Sequence, residues 1–226
     1  MEVRGIDGTG AQRFAAALPH GADPLVVAHD QGWVAERPID AYLDPRGDLV
    51  LRFAVRPVGT EKRPSQRSTG RDVGLQLAPG EDPVVRQRVA AYGVVLSDRG
   101  LLATQYSDRT AVDGRWGMPG GGIDIGEEPT AAVEREVHEE SAQIVVVGAL
   151  VAVQTSHWVG RAPAGHVEDF HAVRLIYRAD CPDPSDPVVL DVGGTTADAR
   201  WVALTEWRSI SWTVNWREAL ERLLPR

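Results

Sequence analysis

The sequence predicts an α/β sandwich built on a mixed β-sheet and preceded by a small β-rich N-terminal unit. Three observations carry that prediction. Short runs of β-branched and aliphatic residues recur between turn sequences, an acidic helix follows a glycine-rich loop in mid-chain, and a closing helix near 214–224 repeats Trp216, Leu220, Leu223 and Leu224 at helical spacing. With 226 residues the chain can bury a sizeable core, and its composition is globular.

Taken in order, residues 1–57 form the expected β-rich unit, with strand-like segments at 24–28, 39–43 and 49–55. Asp44, Pro45, Arg46, Gly47 and Asp48 join the last two as a hairpin turn, because Pro fixes φ and Gly permits a positive one. Packing or dimer formation is the role expected of this unit. Residues 58–85 are rich in charge, Pro and Gly and read as a linker or long loop, whose basic cluster around Arg63, Arg67 and Arg71 is expected to be a solvated surface, with contact to substrate phosphates as the alternative. From residue 86 the texture changes. Residues 89–97 and 101–105 flank Asp98, Arg99 and Gly100 as a hairpin, and a loop over 106–118 leads to the glycines and the acidic helix. Strands are expected at 144–155, 170–177 and 199–204, with a polar loop over 156–169 and a Pro- and Gly-containing connection over 180–198. Residues 86–226 make the main domain.

Composition excludes several function classes. A formal net charge of -8 argues against a general nucleic-acid or anionic-membrane surface, so any phosphate binding is local. Cys181 is the single cysteine, which rules out an intrachain disulfide and a cysteine zinc cluster. Lys62 is the single lysine and lies in a polar stretch, which argues against Schiff-base chemistry. The N-terminus has no apolar core of signal-peptide length, and no apolar run reaches membrane-span length, so a cytoplasmic setting is expected.

The chemistry concentrates in residues 120–142, GGGIDIGEEPTAAVEREVHEESA. At about 100° per residue, Glu136, Glu139 and Glu140 fall within roughly a third of the helix circumference. Val133 and Val137, four apart, supply an apolar contact beside them. Like charges at this spacing repel, so the face calls for a cation, and hard ions such as Mg²⁺ take oxygen ligands together with substrate phosphates. Gly120, Gly121 and Gly122 allow close approach of a metal or phosphate. Asp124 and Glu128 suit the helix start as capping charges, and Pro129 suits its first turn. A run of Glu on a helix is most often a solvated face; the fixed offsets from Gly121 through Glu127 to Arg135, Glu136, Glu139 and Glu140 argue otherwise.

That spacing resembles the signature of the Nudix hydrolases, which cleave a diphosphate bond in nucleoside diphosphates linked to another group. Gly121, Glu127, Arg135, Glu136, Glu139 and Glu140 match the fixed positions, and Val137 fills the first aliphatic one. Ala142 stands where the family has Gly, and Gln143 where it has an aliphatic residue. Gly would close the helix in the left-handed conformation, so this helix is expected to end differently or run longer, with Ile144 taking the apolar place.

The resemblance covers residues 86–226 and implies the Nudix sandwich with Mg²⁺ or Mn²⁺ as cofactor. It further implies Glu136 and Glu140 as metal ligands, Glu139 as a ligand or the base that orients water, and Gly120 at the metal. Arg135 is expected to orient a neighbouring glutamate, Glu127 among them. Glu168 and Asp169, in the expected loop before Phe170, are candidates for a further carboxylate, and Arg109 and Trp116 for substrate contact. Trp116 and Trp158 suit base stacking or packing, and His157, His166 and His171 are assigned no catalytic role. The expected function is metal-dependent hydrolysis of a nucleoside triphosphate or a nucleoside diphosphate linked to another moiety, such as ADP-ribose or a nucleotide sugar. The alternative is a sensor that binds such a ligand without hydrolysing it. Pro163 alone is slender support for ADP-ribose.

Overall fold

The computed structural model describes residues 1–66, 68–162 and 165–224, so Pro163 and Arg67 lie outside the described residues. The chain divides into two compact units, Met1–Ala90 with Ala152–Leu175, and Ala91–Val151 with Ile176–Arg226.

In the first unit a four-stranded sheet is ordered β2-β1-β4-β3, from β1 (Glu2–Ile6), β2 (Gln12–Ala17), β3 (Trp33–Leu43) and β4 (Leu49–Pro57). β1 runs parallel to β4, and the other pairs are antiparallel. The turn between β3 and β4 forms as its residues dictate: Asp44 Oδ1 accepts the Arg46 and Asp48 amides at 2.8 and 3.0 Å, and Gly47 takes φ 81°. Pro38 is tolerated because β3 is an edge strand. β1 and β2 lie outside the expected segments. Their pairing depends on Gly5, where a Cβ would come within 2.3 Å of the Phe14 ring.

Residues 24–28 are helical, not extended: α1 spans Pro24–Asp30. The Val-Val-Ala run suggests a strand, but Asp23 accepts the Leu25 amide at 2.8 Å as N-cap and Pro24 presets the first turn. The cap prevails because Val26, Val27 and Ala28 are buried from the helix as well as they would be from a strand.

The larger sheet is ordered β12-β7-β6-β11-β10-β5, with β8 added on β7 and β9 on β6. Its strands are β5 (Gly70–Arg71), β6 (Val84–Ser97), β7 (Gly100–Tyr106), β8 (Trp116–Gly117), β9 (Gly120–Gly122), β10 (Val146–Arg161), β11 (Val167–Asp180) and β12 (Thr196–Val202). The helices α2 (Pro129–Ser141) and α3 (Val214–Leu223) belong to the second unit. No helix of the described residues is long and apolar enough to cross a membrane.

The expected polar loop over 156–169 is mostly strand, since β10 continues to Arg161 and β11 starts at Val167. Alternation explains the discrepancy. Trp158 and Phe170 pack ring to ring at 4.5 Å on one face, while His157, Asp169 and His171 occupy the other, so a composition that looks polar is two-faced. Among its described residues segment 58–85 holds the short β5 and the first two residues of β6, and it is tied down: the Asp72 carboxylate accepts the Arg161 amide at 2.9 Å, and Glu81 pairs with the Arg161 guanidinium at 3.0 Å.

The end of α2 also departs from expectation. The helix stops at Ser141, and Ala142 itself adopts the left-handed conformation, φ 56° and ψ 18°. Gln143 is buried and polar where an aliphatic residue was expected; its amide nitrogen donates to Ser185 Oγ at 2.9 Å and its carbonyl oxygen accepts the Ser185 amide at 3.0 Å. Ile144 is 70% exposed, and Val145 takes the apolar place. A Cβ at φ 56° is strained, so Ala142→Gly is expected to stabilise the protein by a net of about 0.5–1 kcal/mol after glycine's extra freedom in the unfolded chain is subtracted. The thermal midpoint should rise by about 1–4 °C. An unchanged or lower midpoint would show that the position carries no strain.

Candidate functional site

The site in the second unit is built where β9 hands over to α2. Gly120 has φ 143°, and a Cβ there would fall 2.3 Å from the Ala91 carbonyl oxygen, so only glycine fits. Gly93 on β6 lets the helix approach, since a Cβ would sit 3.1 Å from Val133 and 3.6 Å from Val137. Both valines are wholly buried. They anchor the apolar side of α2 and leave the carboxylate side facing the glycines. At the other end, the Leu190 and Asp191 amides donate to the Glu139 carbonyl at 2.8 and 3.1 Å, and the Val188 amide to that of Ser141 at 3.0 Å. These bonds satisfy carbonyls that a helix end leaves unpaired.

Arg135 is the hub of the charged side. Its Nε and Nη2 grip the two oxygens of Glu127 at 2.8 and 2.9 Å, and Nη2 also donates to the Gly122 carbonyl at 3.0 Å. Nη1 reaches Glu136 at 2.9 Å and Glu139 at 3.3 Å. The fork holds Glu127 below the usual carboxylate range, and Glu127 in turn raises Arg135. Glu127 Oε2 accepts the Asp124 amide at 2.9 Å as well, so one carboxylate fixes both the turn and the guanidinium.

Glu140 sits in a different environment. It is 8% exposed, accepts the Gly120 amide at 3.0 Å on Oε2, and accepts the Thr196 hydroxyl on Oε1. Burial pushes its carboxyl up to about 7 against the pull of these two bonds, and the charges of Glu136 and Asp191 push the same way. Thr196 and Asp191 were not singled out by sequence. They lie in or after a Pro- and Gly-rich connection, 56 residues from Glu140 in the case of Thr196, and no local spacing marks them.

The structure thus brings together Gly120, Gly121, Gly122, Glu127, Arg135, Glu136, Glu139 and Glu140. The remaining candidates make other contacts. Trp116 is buried, with the Arg200 guanidinium 4.1 Å from its ring centroid. Arg109 is exposed and near Gly193, where a Cβ would stand 3.6 Å from its guanidinium. Glu168 and Asp169 are on β11 in the first unit and not in a loop. Glu168 meets Arg86 at 3.0 Å and His166 at 2.9 Å, while Asp169 meets His20 at 2.9 Å and also His157.

The donor set on α2 fits a hard divalent cation. All its side-chain donors are oxygens, a Cβ at Gly121 would lie 2.5 Å from Glu136 Oε1, and the buried Glu140 resists ionisation in its present surroundings. A cation would hold Glu140 charged and leave Arg135 to order Glu127 and Glu136.

Comparison with known proteins adds the following. A family model described as NUDIX domain matches residues 86–223. Among curated proteins the chain is similar to glucose 1-dehydrogenase 2 of Haloterrigena turkmenica, at 26% identity over 221 residues and 91% of this chain. The match spans 57% of that relative's length. Among solved structures the chain is similar to the MutT protein from Methanosarcina mazei Go1, with TM-score 0.47 and 17% identity over 63% of this chain and 94% of that one. It is also similar to a MutT NUDIX hydrolase from Burkholderia pseudomallei, with TM-score 0.42 and 25% identity over 61% of this chain and 98% of that one.

Proposed function

The chain belongs to the NUDIX family, and we propose that it is a divalent-metal-dependent pyrophosphohydrolase. Its substrate is a nucleoside triphosphate or a nucleoside diphosphate linked to another group, such as ADP-ribose or a nucleotide sugar. The observation that carries this reading is the pairing of Arg135 with Glu127, Glu136 and Glu139 on the helix face that also bears the buried Glu140. Mg²⁺ or Mn²⁺, when bound, withdraws charge from phosphoryl oxygens and lowers the pKa of a bound water. Glu136, Glu139 and Glu140, with Gly120, are the residues that would hold it. Glu139 is the most exposed of the three carboxylates, at 46% of its side chain against 16% for Glu136, which supports it as the base that takes a proton from an attacking water. Arg135 keeps Glu127 ionised and holds both Glu127 and Glu136 in position, and Thr196 and the Gly120 amide fix the rotamer of Glu140.

Dehydrogenation, the activity in the name of the Haloterrigena relative, is not what these residues support. No G-x-G-x-x-G occurs in the sequence, and the glycine loop leads into a carboxylate face instead of a bare helix N-terminus. A screen over nucleoside triphosphates, ADP-ribose and nucleotide sugars, run with Mg²⁺ and Mn²⁺ separately and read as nucleoside monophosphate formed together with pyrophosphate or a sugar phosphate, tests the assignment. Turnover of at least one of these that stops with chelator is expected. Ligand-induced thermal stabilisation with no nucleoside monophosphate formed from any of them would replace the hydrolase with a sensor.

A further inference from the structure

Three imidazoles and a carboxylate meet in the first unit, none of them on α2. His20 follows β2, His157 lies on β10, and Asp169 and His171 are alternate residues of β11 and so share a face. His20 Nε2 stands 2.9 Å from Asp169 Oδ1, and His157 Nε2 is bonded to the same oxygen. The rings of His20 and His157 meet edge-on with centroids 5.0 Å apart, and the His171 ring lies 5.5 Å from the first and 6.2 Å from the second. Among the described residues this is the one trio, His20, His157 and Asp169, whose potential ligand atoms all lie within 4.8 Å of one another.

The surroundings hold these side chains in place. His157 Nδ1 faces Thr69 Oγ1 at 3.0 Å, and His171 Nδ1 faces the Gln87 amide at 2.8 Å. Gly21, next to His20, has φ 72°, and a Cβ there would strike His157 Nδ1 at 2.6 Å, so the approach of His20 to His157 requires glycine. Hydrogen bonding within the cluster nevertheless leaves atoms over. One oxygen, Asp169 Oδ1, serves two imidazoles, while His20 Nδ1 and His171 Nε2 are buried with no partner among the described residues. His171 is wholly buried.

We propose that His20, His157 and Asp169 form a binding site for a divalent transition-metal cation of the zinc class. Two imidazole nitrogens and one carboxylate oxygen suit Zn²⁺ and its neighbours far better than Mg²⁺, which selects oxygen. Ligand distances of about 2.0–2.2 Å place ligand atoms roughly 3.3 Å apart around a tetrahedral ion, a small opening of the contacts already present. Thr69 orients His157 from behind, as the second partner of a metal-ligating imidazole does. His20 and Asp169 are 149 residues apart in sequence, so the ion ties the segment after β2 to β10 and β11 and stabilises the folded chain. The site is independent of the hydrolase reading and uses no residue of α2.

The full chain is stripped with chelator, returned to buffer with Mg²⁺ in excess, and titrated with Zn²⁺ while bound metal is counted and melting is followed. One Zn²⁺ per chain is expected, with a rise in melting temperature. His157→Gln and Asp169→Asn should each weaken Zn²⁺ binding by about tenfold or more, and Glu139→Gln should not. His20→Gln, outside the strands, gives the same loss if either strand variant fails to fold. No uptake of Zn²⁺ beside Mg²⁺, or uptake that survives the His20 and His157 substitutions, would overturn the site and leave a hydrogen-bonded His–Asp network.

Discussion

Glu140→Gln is expected to lower metal-dependent turnover by about 10³-fold or more while leaving the fold intact. The two consequences part because Gln reproduces the shape of Glu140 but not its charge. Its Oε1 can accept the Gly120 amide, and its Nε2 can donate to Thr196 Oγ1, which accepts as readily as it donates. In chelator the variant should even gain relative to wild type at neutral and higher pH. The sign follows from linkage. The folded-state pKa of Glu140 is raised to about 7 from an ordinary 4.5, so the stability it contributes is fully present below the ordinary value and is lost as pH rises through about 7. That loss is about 3 kcal/mol once the group is ionised. Gln escapes it. Melting curves in chelator from pH 5 to about 8.5 should therefore converge at the acid end and separate at the alkaline end, with Glu140→Gln the more stable. Retained turnover would remove Glu140 from the metal centre, and parallel melting curves would show that its burial costs nothing.

What could be read from the sequence is what depends on local geometry. The carboxylate face and its valine anchor follow from spacing on one helix, and the structure brings Val133 and Val137 onto Gly93 as a helix with that periodicity requires. The glycines at 120–122 announce a close approach of the backbone by composition, though they form the short strand β9 and not a turn. Distant partners leave no such trace. Thr196 reaches Glu140 from β12, and its role exists only once β12 pairs with β7 and the connection before it caps α2. The misread segments fail for a related reason. Asp23-Pro24 is a helix-start signal overshadowed by the β-branched run after it. Residues 156–169 read as polar loop because two strand faces of opposite character are superimposed in one composition, with Trp158 and Phe170 against His157, Asp169 and His171.

Arg135→Ala should cost about 2–4 kcal/mol in stability, because it leaves Glu127 and Glu136, both largely withdrawn from water, facing each other's charge without a cation. The thermal midpoint should fall by about 4–16 °C. Lysine is a poor replacement: a point charge on a flexible stem reproduces neither the paired bonds to Glu127 nor the reach to the Gly122 carbonyl, so Arg135→Lys should recover less than half of the loss. Turnover should fall by about 10²-fold in Arg135→Ala, since Glu136 and Glu139 lose the group that holds their rotamers, and misplacement of about 1 Å has that consequence. Added Mg²⁺ supplies part of the missing positive charge. It should therefore raise the melting temperature of Arg135→Ala by more than it raises that of wild type, whereas a purely structural arginine would give equal shifts. A loss of stability below about 0.5 kcal/mol would place Arg135 among ordinary surface ion pairs and deny it the central position its bonds describe.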